Sequence, residues 1–175
     1  MRPSYRAHRR YGFDGTKRFM RDLTPYRKRR EALKKSYLRF REAAQKQVQT
    51  AGVDHLALIC SKLDRTFDFY TEVLGMRLTR IVQNRDEPTS THIFFDMGRG
   101  NQPAFFDFPE KGSGCTVRGI GSMHHIALKT RPEQMRAIRG KLDECHIRYS
   151  IHGTPDAGSI YVRDPDEVLV ELTTG

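Results

Sequence analysis

The sequence predicts an α+β fold: paired βαβββ modules with an N-terminal helical extension. Three observations carry that prediction: a charge break near residue 50, a change of hydrophobic period at the same point, and a degenerate internal repeat beyond it. Of the 31 Lys and Arg in 175 residues, 16 fall in residues 1–50 against 4 of the 21 Asp and Glu, a local net of +12. Residues 51–175 hold the remaining 15 against 17, a net of −2, so the +10 of the chain belongs to the extension. A domain of this size buries roughly two-thirds of its unfolded surface, so it needs neither disulfides nor a structural metal to fold.

In the extension, Thr24-Pro25 supplies a helix start, with the threonine hydroxyl as cap and the proline in the first turn. Leu33, Tyr37, Phe40, Ala44 and Val48 then recur at the spacing of one helical face, and Arg27, Lys28, Arg30, Lys34, Lys35, Arg41 and Lys46 fill much of the rest. Such a stripe docks on the body or on a second copy, while the charge makes residues 1–50 the only part suited to nucleic acid.

From residue 51, Val53-Asp54-His55-Leu56-Ala57-Leu58-Ile59 is echoed 70 residues later by Met123-His124-His125-Ile126-Ala127-Leu128-Lys129. Each strand precedes an amphipathic helix. One has the stripe Leu63, Phe67, Tyr70 and Leu74, closed by Gly75; the other has Met135, Ile138 and Leu142, opened by Pro132. Strands follow at Arg77–Val82, Thr91–Asp96 and Ala104–Phe108, and again at Ile147–Ile151, Ser159–Arg163 and Val168–Thr173. The modules therefore span about 51–110 and 122–175, with a Gly-rich linker at 111–121.

Phe105-Phe106-Asp107-Phe108 matches Leu169-Val170-Glu171-Leu172, each strand holding one carboxylate among apolar neighbours, which calls for a buried cation or a hydrogen-bond network. If the modules pack about a pseudo-two-fold axis, His55 and His125 converge with Asp107 and Glu171. Two imidazoles and one or two carboxylates suit Fe(II), Mn(II), Ni(II) or Zn(II). His8, His92 and His146 read as ordinary core or surface histidines. The three cysteines, Cys60, Cys115 and Cys145, lack zinc or disulfide spacing, so a reducing, cytoplasmic compartment is expected. No apolar run is long enough for a membrane span, and the N-terminus lacks the apolar core of a secretory signal.

His55-Leu-Ala-Leu, Phe67-Asp-Phe-Tyr-Thr-Glu-Val-Leu-Gly75, Ala104-Phe-Phe-Asp-Phe-Pro109, His125-Ile-Ala-Leu and Ser159-Ile-Tyr-Val-Arg-Asp-Pro-Asp-Glu-Val-Leu-Val-Glu171 together resemble the vicinal oxygen chelate superfamily: glyoxalase I, bleomycin-resistance proteins and type I extradiol dioxygenases. The resemblance covers residues 51–175. It implies modules curled into a cup around a divalent metal that two adjacent substrate oxygens chelate. His55, His125 and Glu171 match the extradiol metal ligands, and Tyr161 matches the tyrosine ten residues before the glutamate, which implies a metal-dependent dioxygenase-like enzyme acting on a small catechol-like substrate. Fe(II) is the favoured ion, with Ni(II), Zn(II) and Mn(II) as alternatives, and a homodimer is expected.

The extradiol branch also has a histidine where this chain reads Gly100-Asn101-Gln102-Pro103, and His152 is the candidate replacement. Asp107 instead suits a glyoxalase I-like lyase or isomerase, as fourth ligand or base. A non-catalytic, bleomycin-resistance-type binder is the third alternative. Asp164-Pro165-Asp166-Glu167 replaces the common Asp-Pro-Asn-Gly turn and puts Glu167 where φ is expected to be positive.

Overall fold

The computed structural model describes residues 22–38, 50–109, 114, 116, 117, 119–154 and 157–175. The chain divides into two compact units, Met1–Ala51 and Gly52–Gly175.

In the first unit, α1 spans Thr24–Leu33 and continues as a π-helical turn over Lys34–Leu38. Thr24 is the first helical residue rather than the cap: its N–H donates to Asp22 Oδ1 at 2.9 Å, and no side chain caps the helix from Leu23. The Thr24 hydroxyl, and then its N–H, hold the Asp22 carboxyl below its usual range. Phe40, Ala44 and Val48, the later part of the expected stripe, lie outside the described residues, as do His8 and Cys115.

The second unit holds two four-stranded sheets of the same topology. In the first module β1 (His55–Cys60) is followed by helix α2 (Leu63–Asp68, continuing as a π turn through Phe69–Val73), β2 (Arg77–Gln83), β3 (Thr91–Asp96) and β4 (Gln102–Asp107). The second repeats this with β5 (Ile126–Lys129), α3 (Pro132–Glu144), β6 (Tyr149–Thr154), β7 (Ala157–Arg163) and β8 (Leu169–Thr173). The strand orders are β1-β4-β3-β2 and β5-β8-β7-β6. The first strand of each module runs parallel to its last and the other pairs are antiparallel. A parallel pair needs a long crossover, and the helix that follows β1 or β5 begins it.

Strand alternation decides what is buried. Ile93, Phe95 and Phe105 point into one core with Ile160, Val162, Val170 and Leu172, where helix residues Phe69, Tyr70, Val73, Met135 and Leu142 join them. Of the expected α2 stripe, Tyr70 and Leu74 are buried and Leu63 packs against the core, while Phe67 is 39% exposed. Thr66, Phe69 and Val73 are buried as well, because the π turn from Phe69 changes the angular step between side chains. Gly75, at φ +69, ends the helix in a backbone conformation that a Cβ would strain. On α3, Arg131 N–H is bound by the Gln134 side chain at 2.9 Å, satisfying a donor that the helix start leaves free.

Polar contacts also tie the modules together. Tyr70 Oη donates to Asp164 Oδ2 at 3.2 Å, Ser61 N–H to Asp166 Oδ2 at 3.0 Å, and Arg65 to the Pro165 carbonyl at 3.3 Å. Asp164 is 4% exposed, and burial pushes its carboxyl up to about 6 against the pull of the Val168 and Asp166 N–H groups. The turn after it places Glu167 at φ 68, as its sequence position implies. Among the described residues no helix is long and apolar enough to cross a membrane.

Candidate metal centre

The second face of each sheet, turned away from the core, carries the candidate site residues. His125 lies just before β5, and its Nε2 is 2.9 Å from Glu171 Oε2 on β8. The other Glu171 oxygen, Oε1, accepts from Ser159 Oγ at 2.7 Å on the adjacent β7. Tyr161 pairs directly with Glu171 across β7 and β8, and its ring meets His125 edge-on at 6.1 Å. His152 on β6 pairs with Ser159 and sets its ring edge-on to Tyr161 at 5.2 Å. His125, Glu171, Tyr161 and His152 therefore share one face of the second sheet.

The electrostatics follow from these contacts. Hydrogen bonding from Ser159 outweighs burial and, with Tyr161 and His125, holds the Glu171 carboxyl below its ordinary range. The same carboxylate raises the Tyr161 phenol, chiefly through their hydrogen bond. Tyr161 thus stays protonated beside an ionised glutamate.

His55 stands on the first sheet in a parallel arrangement. Its Nδ1 is 2.6 Å from Asp54 Oδ1, just as His125 Nδ1 is 2.7 Å from His124 Nδ1. In both modules the preceding residue engages Nδ1 and leaves Nε2 as the ring nitrogen for another partner, as the second partner of a metal-ligating imidazole does. His124 turns toward His125 rather than away from it, since the regular alternation of β5 begins only at Ile126.

Around His55 the wall is aromatic. Its ring lies 5.7 Å from Phe94 and 6.3 Å from His92, and His92 stacks on Phe106 at 3.6 Å. The Arg80 guanidinium sits 3.8 Å over Phe94. His92 is 9% exposed with no partner for Nε2, and burial first, then His55 and Arg80, lower its basicity. Sequence reasoning passed over His92 as an ordinary histidine. The repeat held the signal, because His92-Ile93-Phe94 matches Ser159-Ile160-Tyr161 strand for strand.

Two expectations are corrected. Asp107 does not match Glu171 in position: β1/β4 pairing sets Ala57 opposite Ala104, whereas β5/β8 pairing sets Ala127 opposite Glu171, so Ala104 is the true counterpart. Asp107 lies three residues further on, an odd number, and therefore faces away from His55. It accepts the Thr91 N–H at 2.7 Å, which meets its need for a partner.

The second correction concerns convergence. Among the described residues no three His, Cys, Asp or Glu side chains gather in metal-binding range within one chain. His125 and Glu171 meet, but His55 stays on its own sheet with 41% of its side chain exposed, because the opposite faces of both sheets are the ones that pack into the shared core.

The donors present nonetheless fit a divalent ion. Two ligands bound at ~2.1 Å and at right angles lie ~3.0 Å apart, the separation found between His125 Nε2 and Glu171 Oε2. One imidazole and one carboxylate form an edge of a coordination polyhedron, and a second imidazole would complete the donor set typical of a first-row ion.

The chain is similar to several known proteins. It is 33% identical over 98 residues to the putative ring-cleaving dioxygenase MhqA of Bacillus subtilis strain 168, matching 48% of this chain and 31% of that one. It thus spans about a third of that relative's length. Among solved structures, a glyoxylase/bleomycin resistance protein/dioxygenase domain from Frankia sp. EAN1pec superposes with a TM-score of 0.63 at 16% identity, over 73% of this chain and 99% of that one. The fosfomycin resistance protein FosX of Listeria monocytogenes, solved as a mutant with Mn(II) and a dihydroxypropylphosphonic acid, superposes with a TM-score of 0.57 at 20% identity, over 73% and 94%. The family model for this fold matches residues 52–172, both modules from the residues before β1 into β8. With the duplicated topology and this match over more than half its length, the chain belongs to the Glyoxalase/Bleomycin resistance protein/Dioxygenase superfamily.

Proposed function

We propose that the chain is a metal-dependent, dioxygenase-like enzyme for a small vicinal-oxygen substrate of catechol type, with His55, His125 and Glu171 holding a divalent ion between two copies. The observation that carries this reading is the His125–Glu171 edge at 2.9 Å, fixed from behind by Ser159, together with a half-exposed His55 on the equivalent strand whose Nδ1 is held by Asp54. In a homodimer the His55 face of one copy meets the Glu171 face of the other. Fe(II) is the favoured ion. The similarity to MhqA, a putative ring-cleaving dioxygenase by name, supports ring-cleaving chemistry, and the Mn(II) in FosX supports a divalent ion on this fold.

A divalent ion supplies, when bound, chelation of two adjacent oxygens and, in the case of Fe(II), electron transfer between a catecholate and dioxygen. The remaining work belongs to side chains. The Tyr161 hydroxyl, kept protonated by Glu171, donates to a substrate oxygen and stabilises its ionised form. His152, exposed beside Tyr161, is placed to take and return a proton. Half-buried Phe106, backed by buried His92 and Phe94, offers the apolar wall beside His55 against which a planar ring packs. The alternative built on Asp107 finds no support in the geometry, since that carboxylate faces away and is bound by Thr91.

Elemental analysis of natively purified protein, with His55→Ala and Glu171→Ala variants, tests the site. About one divalent ion per chain is expected in the parent protein, with a large loss in each variant. Anaerobic Fe(II) loading should then give oxygen uptake with catechols. Metal-free native protein that also leaves a catechol panel intact after iron loading would overturn the proposal in favour of a non-catalytic binder.

A further inference from the structure

The charge arrangement of the basic helix points to a partner of its own. Arg27, Lys28, Arg29, Arg30, Lys34 and Lys35 occupy six of nine consecutive positions, every one exposed, against a single acid, Glu31. Glu31 pairs with Lys34 at 2.8 Å, and the other five make no ion pair among the described residues. No residue of α1 is buried.

As an isolated helix this segment is electrostatically opposed to itself. Its first turn carries no acid, and Arg27 and Lys28 follow directly, toward the end where the macrodipole is positive and anions are favoured by about 0.3–1 kcal/mol each. Arg27 and Arg30 are like-charged neighbours at i,i+3, and Arg30 and Lys34 at i,i+4. Local conflicts of this kind are relieved by an external polyanion. The cations also surround the helix: four successive residues at ~100° per step cover about 300° of its circumference. A helix lying on an anionic bilayer needs a broad apolar face, and among the described side chains of α1 and its π turn the large exposed apolar ones are Tyr26, Leu33 and Tyr37.

We propose that residues 24–37 form a nucleic-acid-binding helix that engages the phosphate backbone without reading sequence. Binding of this kind releases counterions, and each phosphate neutralised on duplex DNA contributes about 0.9 to the slope of log K against log salt. The inference is independent of the metal site.

The test uses the full chain and a fluorescent 20-base-pair duplex, followed by anisotropy between 50 and 200 mM salt. In the variant Arg27→Gln, Lys28→Gln, Arg29→Gln, Arg30→Gln the slope should become shallower by about 3.6, so that the parent protein weakens about 150-fold more than the variant over that range. Glutamine is a good helix former, and an unchanged melting temperature will verify the fold. A charge-matched control on the body (Lys62→Gln, Arg77→Gln, Arg85→Gln, Arg148→Gln) should keep the parent slope. An unbound duplex, an unchanged slope in the helix variant, or an equal effect in the body control overturns the proposal. Retention on phosphatidylserine vesicles with no duplex binding overturns it too, and reassigns the helix to lipid.

Discussion

Mixing two inactive variants separates a site built between copies from one built within a chain. In a paired arrangement each complete site takes His55 from one copy and His125 with Glu171 from the other. A His55→Ala chain keeps the His125–Glu171 edge and its Ser159 support intact, while a Glu171→Ala chain keeps His55, its Asp54 partner and the aromatic wall. A mixed pair therefore holds one complete site and one that lacks both groups. Random reassortment of equal amounts makes about half the pairs mixed, so metal content should recover to about a quarter of the parent level, and to about half when mixed pairs are isolated through two different affinity tags. Metal analysis on the co-refolded mixture, with each variant refolded alone as reference, reads this directly. No recovery in isolated mixed pairs, or full metal content in a monomeric fraction of the parent protein, would refute the reasoning.

Two further outcomes follow from contacts in the second unit. Ser159→Ala frees Glu171 Oε1 from the hydroxyl that orients it, and metal affinity in equilibrium competition with a chelator should fall by about 10–100-fold; an unchanged affinity removes Ser159 from the site. Asp164 binds its proton more tightly when folded, at about 6 against 3.8 for the free group. Its contribution is complete below pH 4 and is lost as pH rises through 6, a decline of about 3 kcal/mol at most. Asp164→Asn keeps an acceptor for the Asp166 and Val168 N–H groups, so denaturant unfolding across this window should show a flatter decline than the parent.

What the chain states locally was readable from it, and what depends on register or docking was not. Alternation of apolar side chains located every strand of the second unit to within two or three residues, since period-2 burial is a local property. The helix stripe over Leu63, Tyr70 and Leu74 was legible, whereas the exposure of Phe67 and the burial of Phe69 and Val73 go with a π turn that a uniform 3.6-residue period does not encode. Asp107 was matched to Glu171 because both strands read apolar-apolar-acid-apolar. Only the parallel pairing of β1 with β4, residues some 47 apart, fixes which side chain faces His55, and a slip of an odd number of residues reverses the face. The convergence of His55 with His125 needed knowledge of which sheet faces pack together, which no local pattern encodes.

The same register gives the two sheets unlike outer faces. The face of the first sheet turned from the core carries His55, buried Phe94, Phe106 and Ile59, the last 68% exposed, and the equivalent face of the second carries Glu171, Ser159, Tyr161 and His152. The first carries His55 and His92 among phenylalanines, with Asp54 engaging His55 Nδ1. The second carries hydrogen-bonding and anionic groups with His125 and His152. A two-fold axis that brings the first face of one copy onto the second face of its partner repeats the contact at the symmetric position, so two complete sites form and both exposed faces are covered at once.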